Sequence, residues 1–132
     1  MLKDVGWMIH CSPCNETGKR ASAGVGVMWR EDLVKIYPER IKDSELQKAY
    51  EHGMMVKYTM DVEWERCFTI FNIYGESGGA CENITTTETL LEGCRRGKPL
   101  GVCNLTMIMG DFNATPTTLG PIQELIKGGS VD

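Results

Sequence analysis

Met107-Ile108-Met109-Gly110-Asp111-Phe112-Asn113-Ala114-Thr115-Pro116 is the stretch from which the rest of the chain is read. A hydrophobic, β-favouring run delivers an acid and an amide, two positions apart, at its carboxyl end. In open α/β sheets that edge is where ligands bind. Gly110 lets a backbone or a substrate approach closely. Asp111 and Asn113 occupy alternate positions, so both side chains can point the same way. An aspartate accepts a proton or holds a hard cation, and an asparagine orients a water or a phosphate oxygen. The same spacing also suits a turn in which Asp and Asn bond to their own backbone.

Working outward, Cys67-Phe68-Thr69-Ile70-Phe71-Asn72-Ile73-Tyr74 is apolar and β-favouring almost throughout. That is the pattern of a strand buried on both faces, and Leu105 to Met109 is expected to be buried likewise. Met54 to Val62 alternates imperfectly and pairs with Cys67 to Tyr74 as a predicted hairpin across polar Glu63-Trp64-Glu65-Arg66. Trp7 to Cys11 and Ala23 to Trp29 are two further predicted strands. The glycines of the second, Gly24 and Gly26, suggest another backbone passing close by. Leu33 to Tyr37 is a short predicted strand ending at Pro38. Ser12 to Ser22 and Gly75 to Asn83 are expected to be loops.

Two capping boxes mark helices. Ser44-Glu45-Leu46-Gln47 opens one from Glu45 to His52, stopped by Gly53, and Thr85-Thr86-Thr87-Glu88 opens another through about Arg95. Thr117 or Thr118 is expected to cap a last helix, with Leu119, Ile122, Leu125 and Ile126 on one face and Gly128 as its stop. Strands interleaved with helices make this an α/β layered fold.

Composition narrows the class. The 132 residues are 42% hydrophobic and 24% charged, ordinary for a globular domain, and no apolar run is long enough to span a membrane. The 15 glycines and five prolines do not suit a pure helical bundle. A net charge of -4 excludes bulk electrostatic attraction as the means of holding nucleic acid. The start carries no secretory pattern, so the six cysteines are expected to be reduced and the four Asn-x-Ser/Thr sequons (Asn15, Asn83, Asn104, Asn113) idle. An intracellular, nuclear or cytoplasmic, location follows as the expectation. Cys11-Ser-Pro-Cys14 has metal-ligand spacing, but a zinc site needs a second close pair and the other cysteines are scattered. His10 and His52 read as structural. Arg95-Arg96-Gly97-Lys98 is a basic cluster that suits either a phosphate or a helix carboxyl end.

Gly110-Asp111-Phe112-Asn113-Ala114-Thr115-Pro116 resembles a signature of the endonuclease/exonuclease/phosphatase superfamily. Three further stretches agree in order and spacing. Gly24-Val25-Gly26-Val27-Met28-Trp29-Arg30 resembles the family's glycine-bearing strand. Phe71-Asn72-Ile73-Tyr74-Gly75 resembles the strand ending in Asn-x-Tyr before the active-site loop. Thr118 to Asp132 resembles the helix that follows the Gly-Asp-x-Asn turn. The resemblance spans roughly Trp7 to Asp132.

That resemblance implies part of a two-sheet α/β sandwich, four-layered with mixed sheets and incomplete at both ends, over residues 1–132. It implies a divalent-metal phosphodiesterase acting on DNA, with Mg²⁺, or Mn²⁺ in its place, neutralising phosphate charge. Asp111 would touch the metal and activate or position the attacking water. Asn113 would hold Asp111 or the phosphate, and Tyr74 would stabilise the phosphate through its phenol oxygen. Tyrosine at position 74 resembles the exonuclease III-like apurinic endonucleases and the endonuclease domains of retrotransposons without long terminal repeats. The sphingomyelinase and deoxyribonuclease I branches commonly place histidine there.

The departures from the pattern are equally definite. Gly75-Glu76-Ser77 stands where the family usually has a proline shortly after the tyrosine. The family's Asn strand, its metal-binding Glu and its closing Asp-His pair have no counterpart between Trp7 and Asp132, and neither Glu76 nor Glu82 matches that Glu. The chain is therefore expected to bind Mg²⁺ weakly and to be feeble or inactive. A non-catalytic remnant serving as a binding module, and an unrelated α/β domain with a chance Gly-Asp-Phe-Asn turn, are the alternatives. No membrane and no obligate protein partner are expected.

Overall fold

A computed structural model of the chain describes residues 6–13, 15–17, 20–22, 24–62, 66–76, 81–97 and 104–128. The fold is mixed α/β, and its centre is the predicted hairpin. Strand β6 (Met55–Val62) pairs antiparallel with β7 (Arg66–Tyr74) along its whole length. The two strands each bury three core side chains: Met55, Val56 and Tyr58 on β6, and Ile70, Phe71 and Ile73 on β7. β-branched and aromatic side chains fit such a pleated, enclosed surface.

β5 (Lys35–Pro38) flanks β6 on one side and β8 (Asn104–Asp111) flanks β7 on the other, giving the order β5-β6-β7-β8. The β7–β8 pair is parallel, so the chain must cross over, and helix α2 (Cys81–Arg96) makes that crossing. Helix α1 (Ser44–Glu51) packs on α2, and α3 (Gly120–Lys127) on α2 from further along. The helices cover one face of the sheet with Leu46, Leu90, Leu91, Cys94 and Leu119 over Met55, Phe71 and Ile73. On the opposite face a second ladder, β1 (Trp7–Cys11) antiparallel with β4 (Gly26–Arg30), covers β6 and β7. Val25 and Val27 there pack on Val56, Tyr58 and Ile70. The Asn72 side-chain amide also donates to the Gly26 carbonyl at 3.0 Å, tying the two layers together. Among the described residues no helix is long and apolar enough to cross a membrane.

Several expectations are met locally. The close approach read from Gly24 and Gly26 is real: the Gly24 amide donates to the Gly53 carbonyl, and a Cβ on Gly26 would stand 2.8 Å from Cys11 Sγ. Gly53 ends α1 with φ +71, the Gly53 amide bonding to Tyr50 and the Met54 amide to Ala49. This is a Schellman closure, and it satisfies carbonyls the helix would leave bare.

Other expectations are corrected. Within the expected loop from Ser12 to Ser22, β2 (Asn15–Thr17) and β3 (Arg20–Ser22) form a small antiparallel ladder. A ribbon paired only with itself needs no apolar face to announce it. Helix α1 is capped by Asp43, not Ser44: Asp43 Oδ1 accepts from the amides of Glu45 and Leu46. Helix α2 opens at Cys81 rather than at Thr85, so the Thr85–Glu88 box lies inside it, and the loop expected to reach Asn83 ends sooner. Thr87 is fully buried and accepts from the Glu76 amide. Glu88 Oε1 accepts from the Gly120 amide at 2.8 Å, so α3 is capped by another helix's carboxylate and not by Thr117 or Thr118. Those two threonines instead sit in a 3₁₀ turn, Pro116–Thr118.

The largest correction concerns β8. It is the edge strand, and Leu105, Met107 and Met109 are 60%, 47% and 43% exposed, although the sequence predicts a buried strand. Only the face bearing Ile108 reaches the core. Ile126 likewise points away from the face assigned to it.

Candidate functional site

The parallel pairing of β7 and β8 brings both carboxyl ends to the same edge. Tyr74 stands opposite Asp111 in the register, one at the end of each strand. Both side chains are exposed, and both project from the face opposite Phe71 and Ile108. The edge is held by a dense set of bonds. The Gly75 amide donates to the Asp111 carbonyl at 2.6 Å, and the Tyr74 amide to the Met54 carbonyl at 2.8 Å. Asn113 then closes the turn twice. Its amide donates to Asp111 Oδ1 at 2.9 Å, and its side-chain Nδ2 donates to the Gly75 carbonyl at 2.6 Å.

The residue types at this edge are dictated by that geometry. Gly110 has φ +138, and a Cβ there would stand 1.9 Å from the Ile73 carbonyl oxygen. Gly75 passes so close to Phe112 that its Cβ would meet that carbonyl oxygen at 2.2 Å. Asn113 has φ +49, a left-handed conformation that asparagine tolerates better than most residues. Phe112 and Ala114 turn inward and pack against the helix-side core, anchoring the turn from below.

The structure thus places all three sequence-derived site residues, Tyr74, Asp111 and Asn113, at one edge. It also realises the self-bonded turn: Asp111 Oδ1 and Asn113 Nδ2 are spent on backbone. Among the described residues, Asp111 Oδ2, the Asn113 side-chain carbonyl and the Tyr74 hydroxyl make no hydrogen bond. A phenol donor, a carboxylate oxygen and an amide oxygen therefore share one open edge. An aspartate beside a phosphodiester repels it unless a cation stands between. The described residues form no cage for such an ion, since no group of three His, Cys, Asp or Glu side chains converges among them.

No family model, curated protein or solved structure matches the chain.

The remaining sequence-derived candidates separate. His52 lies at the end of α1 with Nδ1 bonded to the Lys48 carbonyl at 2.7 Å, a helix-end contact. Arg95 is clasped by Glu92 at 2.7 and 2.8 Å, and Arg96 reaches Glu45 at 2.6 Å, so the basic cluster is largely ion-paired. Lys98 and Cys14 lie outside the described residues, as does the predicted hairpin turn at 63–65. Cys11 and Cys94 are thiols. Two residues that hold the edge were not singled out from sequence: Gly75, visible there only as a departure from a proline pattern, and Thr87, hidden inside a capping-box motif.

Cys94 is fully buried, and burial, aided by the Asp43 charge, pushes its thiol up to about 12. Alkylating reagents attack the thiolate, so the native chain at pH 8 is expected to lose exposed Cys11 to iodoacetamide well before Cys94. Cys94 is expected to react only as fast as the chain unfolds. Peptide mass spectrometry over a time course checks this, and equal labelling rates at the two positions would contradict the packing described for α2.

Proposed function

We propose that this chain carries part of a phosphodiesterase site that acts on DNA, with Tyr74, Asp111 and Asn113 as its contacts to the phosphate and the attacking water. The observation that supports the reading is the in-register placement of Tyr74 against Asp111 at the carboxyl ends of two parallel strands, with Asn113 on the turn between them. That edge is the customary ligand-binding position of such sheets. The sequence resemblance to the endonuclease/exonuclease/phosphatase superfamily, in its apurinic-endonuclease and retrotransposon-endonuclease branch, gives the same three residues these roles. On this reading the Tyr74 hydroxyl donates to a phosphate oxygen, and Asp111 Oδ2 faces the attacking water. Mg²⁺ or Mn²⁺ belongs to the proposal as a weakly held ion at Asp111, because one carboxylate is the least such an ion takes.

A second reading has its own support. Asp111 and Asn113 already spend Oδ1 and Nδ2 on the turn, which suits a binding module that keeps the fold without the chemistry.

Nicking of supercoiled plasmid by the purified chain, with and without Mg²⁺ or Mn²⁺, separates the two. The phosphodiesterase reading expects metal-dependent nicking that Asp111→Ala abolishes while the circular dichroism spectrum stays unchanged. Tyr74→Phe, which removes only the phenol donor, is expected to slow nicking about 10²-fold. A folded wild-type chain that nicks no faster than its Asp111→Ala variant at any metal concentration would leave the binding-module reading.

A further inference from the structure

A second concave site lies away from the Tyr74–Asp111 edge, on the helix-covered side of the sheet. It is a cavity of about 360 Å³ where the segment between β5 and α1, strand β6 and the end of α2 meet. Four cations line it, Arg40, Lys42, Lys57 and Arg96, together with Glu39 and Asp43. Phe71, Ile41 and Leu46 form its floor, and all three are buried. Phe71 and Tyr74 project from opposite faces of β7, so the two sites do not share a wall.

The charges in this cavity do not balance. Lys57 pairs with Glu39 at 2.7 Å, its ammonium held 5.7 Å from the centre of the Phe71 ring. Arg96 pairs with Glu45 at 2.6 Å and more loosely with Asp43 at 3.8 Å. Asp43 is further occupied by capping α1. Burial alone would push the Glu39 carboxyl up. Hydrogen bonds from Lys57 and Thr59, with the charges of Lys57 and Lys42, more than offset that and hold it below its ordinary range. Both carboxylates lining the cavity are therefore engaged. Arg40 and Lys42 have no ion-pair partner among the described residues. Both side chains are exposed, and their positive charge is left uncompensated beside the cavity.

We propose that this cavity binds a phosphoryl group. Arg40 and Lys42, both without an ion-pair partner among the described residues, present positive charge to an anion. The Arg40 guanidinium makes no ion pair among those residues and offers the planar fork that suits phosphate oxygens, whereas that of Arg96 is held by Glu45 and Asp43. A tetrahedral group accepts donors from several directions, whereas a flat carboxylate accepts them in one plane. The cations come from three separate elements, so no helical spacing accounts for their convergence. The site is independent of the phosphodiesterase reading and stands or falls without it. Two sources share the chemistry: a free phosphate or nucleotide, and the terminal phosphate of a nucleic-acid strand.

The test is a titration of the full ¹⁵N-labelled chain with sodium phosphate, and then pyrophosphate, against sodium chloride at matched ionic strength. The expected result is saturable amide shifts confined to residues 39–43, 57 and 96–97. The double variant Arg40→Gln, Lys42→Gln touches two exposed side chains and is expected to fold normally. It should weaken phosphate at least about tenfold, the loss expected for two charge-assisted contacts. A 5′-phosphorylated oligonucleotide is compared with the same strand lacking the phosphate. Tighter binding of the phosphorylated strand, lost in the double variant, assigns the site to strand ends. Equal binding of the two strands alongside saturable phosphate shifts assigns it to free phosphate. Shifts that never saturate, that scatter over the surface, or that persist unchanged in the double variant overturn the proposal.

Discussion

Gly110→Ala is expected to destabilise the chain by about 4 kcal/mol, a large part of the roughly 5–15 kcal/mol that holds a domain folded. Two penalties add. At φ +138 a side chain is strained whatever space surrounds it. The added methyl would also meet the Ile73 carbonyl oxygen at 1.9 Å, and that oxygen belongs to the neighbouring strand's backbone. Backbone cannot swing aside as a flexible side chain can. Relief requires β7 and β8 to part at the end where Tyr74 faces Asp111. Urea unfolding should therefore show the midpoint falling by about 2 M, at the slope usual for small domains. Amide exchange should rise first at Gly75, whose amide bonds to the Asp111 carbonyl. A loss under about 1 kcal/mol would mean that the two strand ends do not approach as described.

Phe71→Ala is expected to cost about 3–5 kcal/mol. Phe71 is fully buried and belongs to the helix-side core with Met55, Ile73 and Cys94. Truncation empties the space beneath α1 and α2 and takes the ring from under the Lys57 ammonium. Phe71→Leu keeps most of the volume and should cost under about 2 kcal/mol. The graded pair, measured by denaturant unfolding, separates cavity formation from a general intolerance of change. Equal losses for leucine and alanine would contradict a close-packed site.

How much of this was legible beforehand varies with the range of the interactions. The hairpin of β6 and β7 could be read because its residues carry their own signal: apolar, β-branched and aromatic side chains separated by a polar turn. The end of α1 could be read from Gly53 for the same local reason. The starts of the helices could not. Ser44 and Asp43 are both good caps, and only the fold decides which one faces the free amides. Thr85-Thr86-Thr87-Glu88 has the composition of a helix start. In the folded chain Thr87 holds the Glu76 amide and Glu88 caps α3, both tertiary contacts that a local motif cannot reveal. The exposure of β8 was hidden because Leu105 to Met109 has the same composition in the middle of a sheet as at its edge.

The candidate site divides in the same way. Asp111 and Asn113 were legible from two-residue spacing at a strand end, and Tyr74 from its place after an apolar run. Their meeting depends on the parallel pairing, which neither segment encodes alone. Gly75 makes the point most clearly. Viewed along the sequence it replaces a proline pattern, and viewed in space it is the residue small enough to lie against Phe112.

The parallel pairing also sets the order in which the chain comes together. The first partners of β6 and β7, Val62 and Arg66, are almost adjacent along the chain, so that hairpin closes a short loop and forms early. Tyr74 and Asp111 are separated by all of α2 and can meet only after the crossover has formed. Long-range closure of this kind is the slow part of assembly. β8 docks after the hairpin, and as an edge strand it is held on one side only when the sheet loosens. Binding at the Tyr74–Asp111 edge would then draw the chain toward its fully assembled state, because the hairpin alone, however well formed, contains only half of that edge.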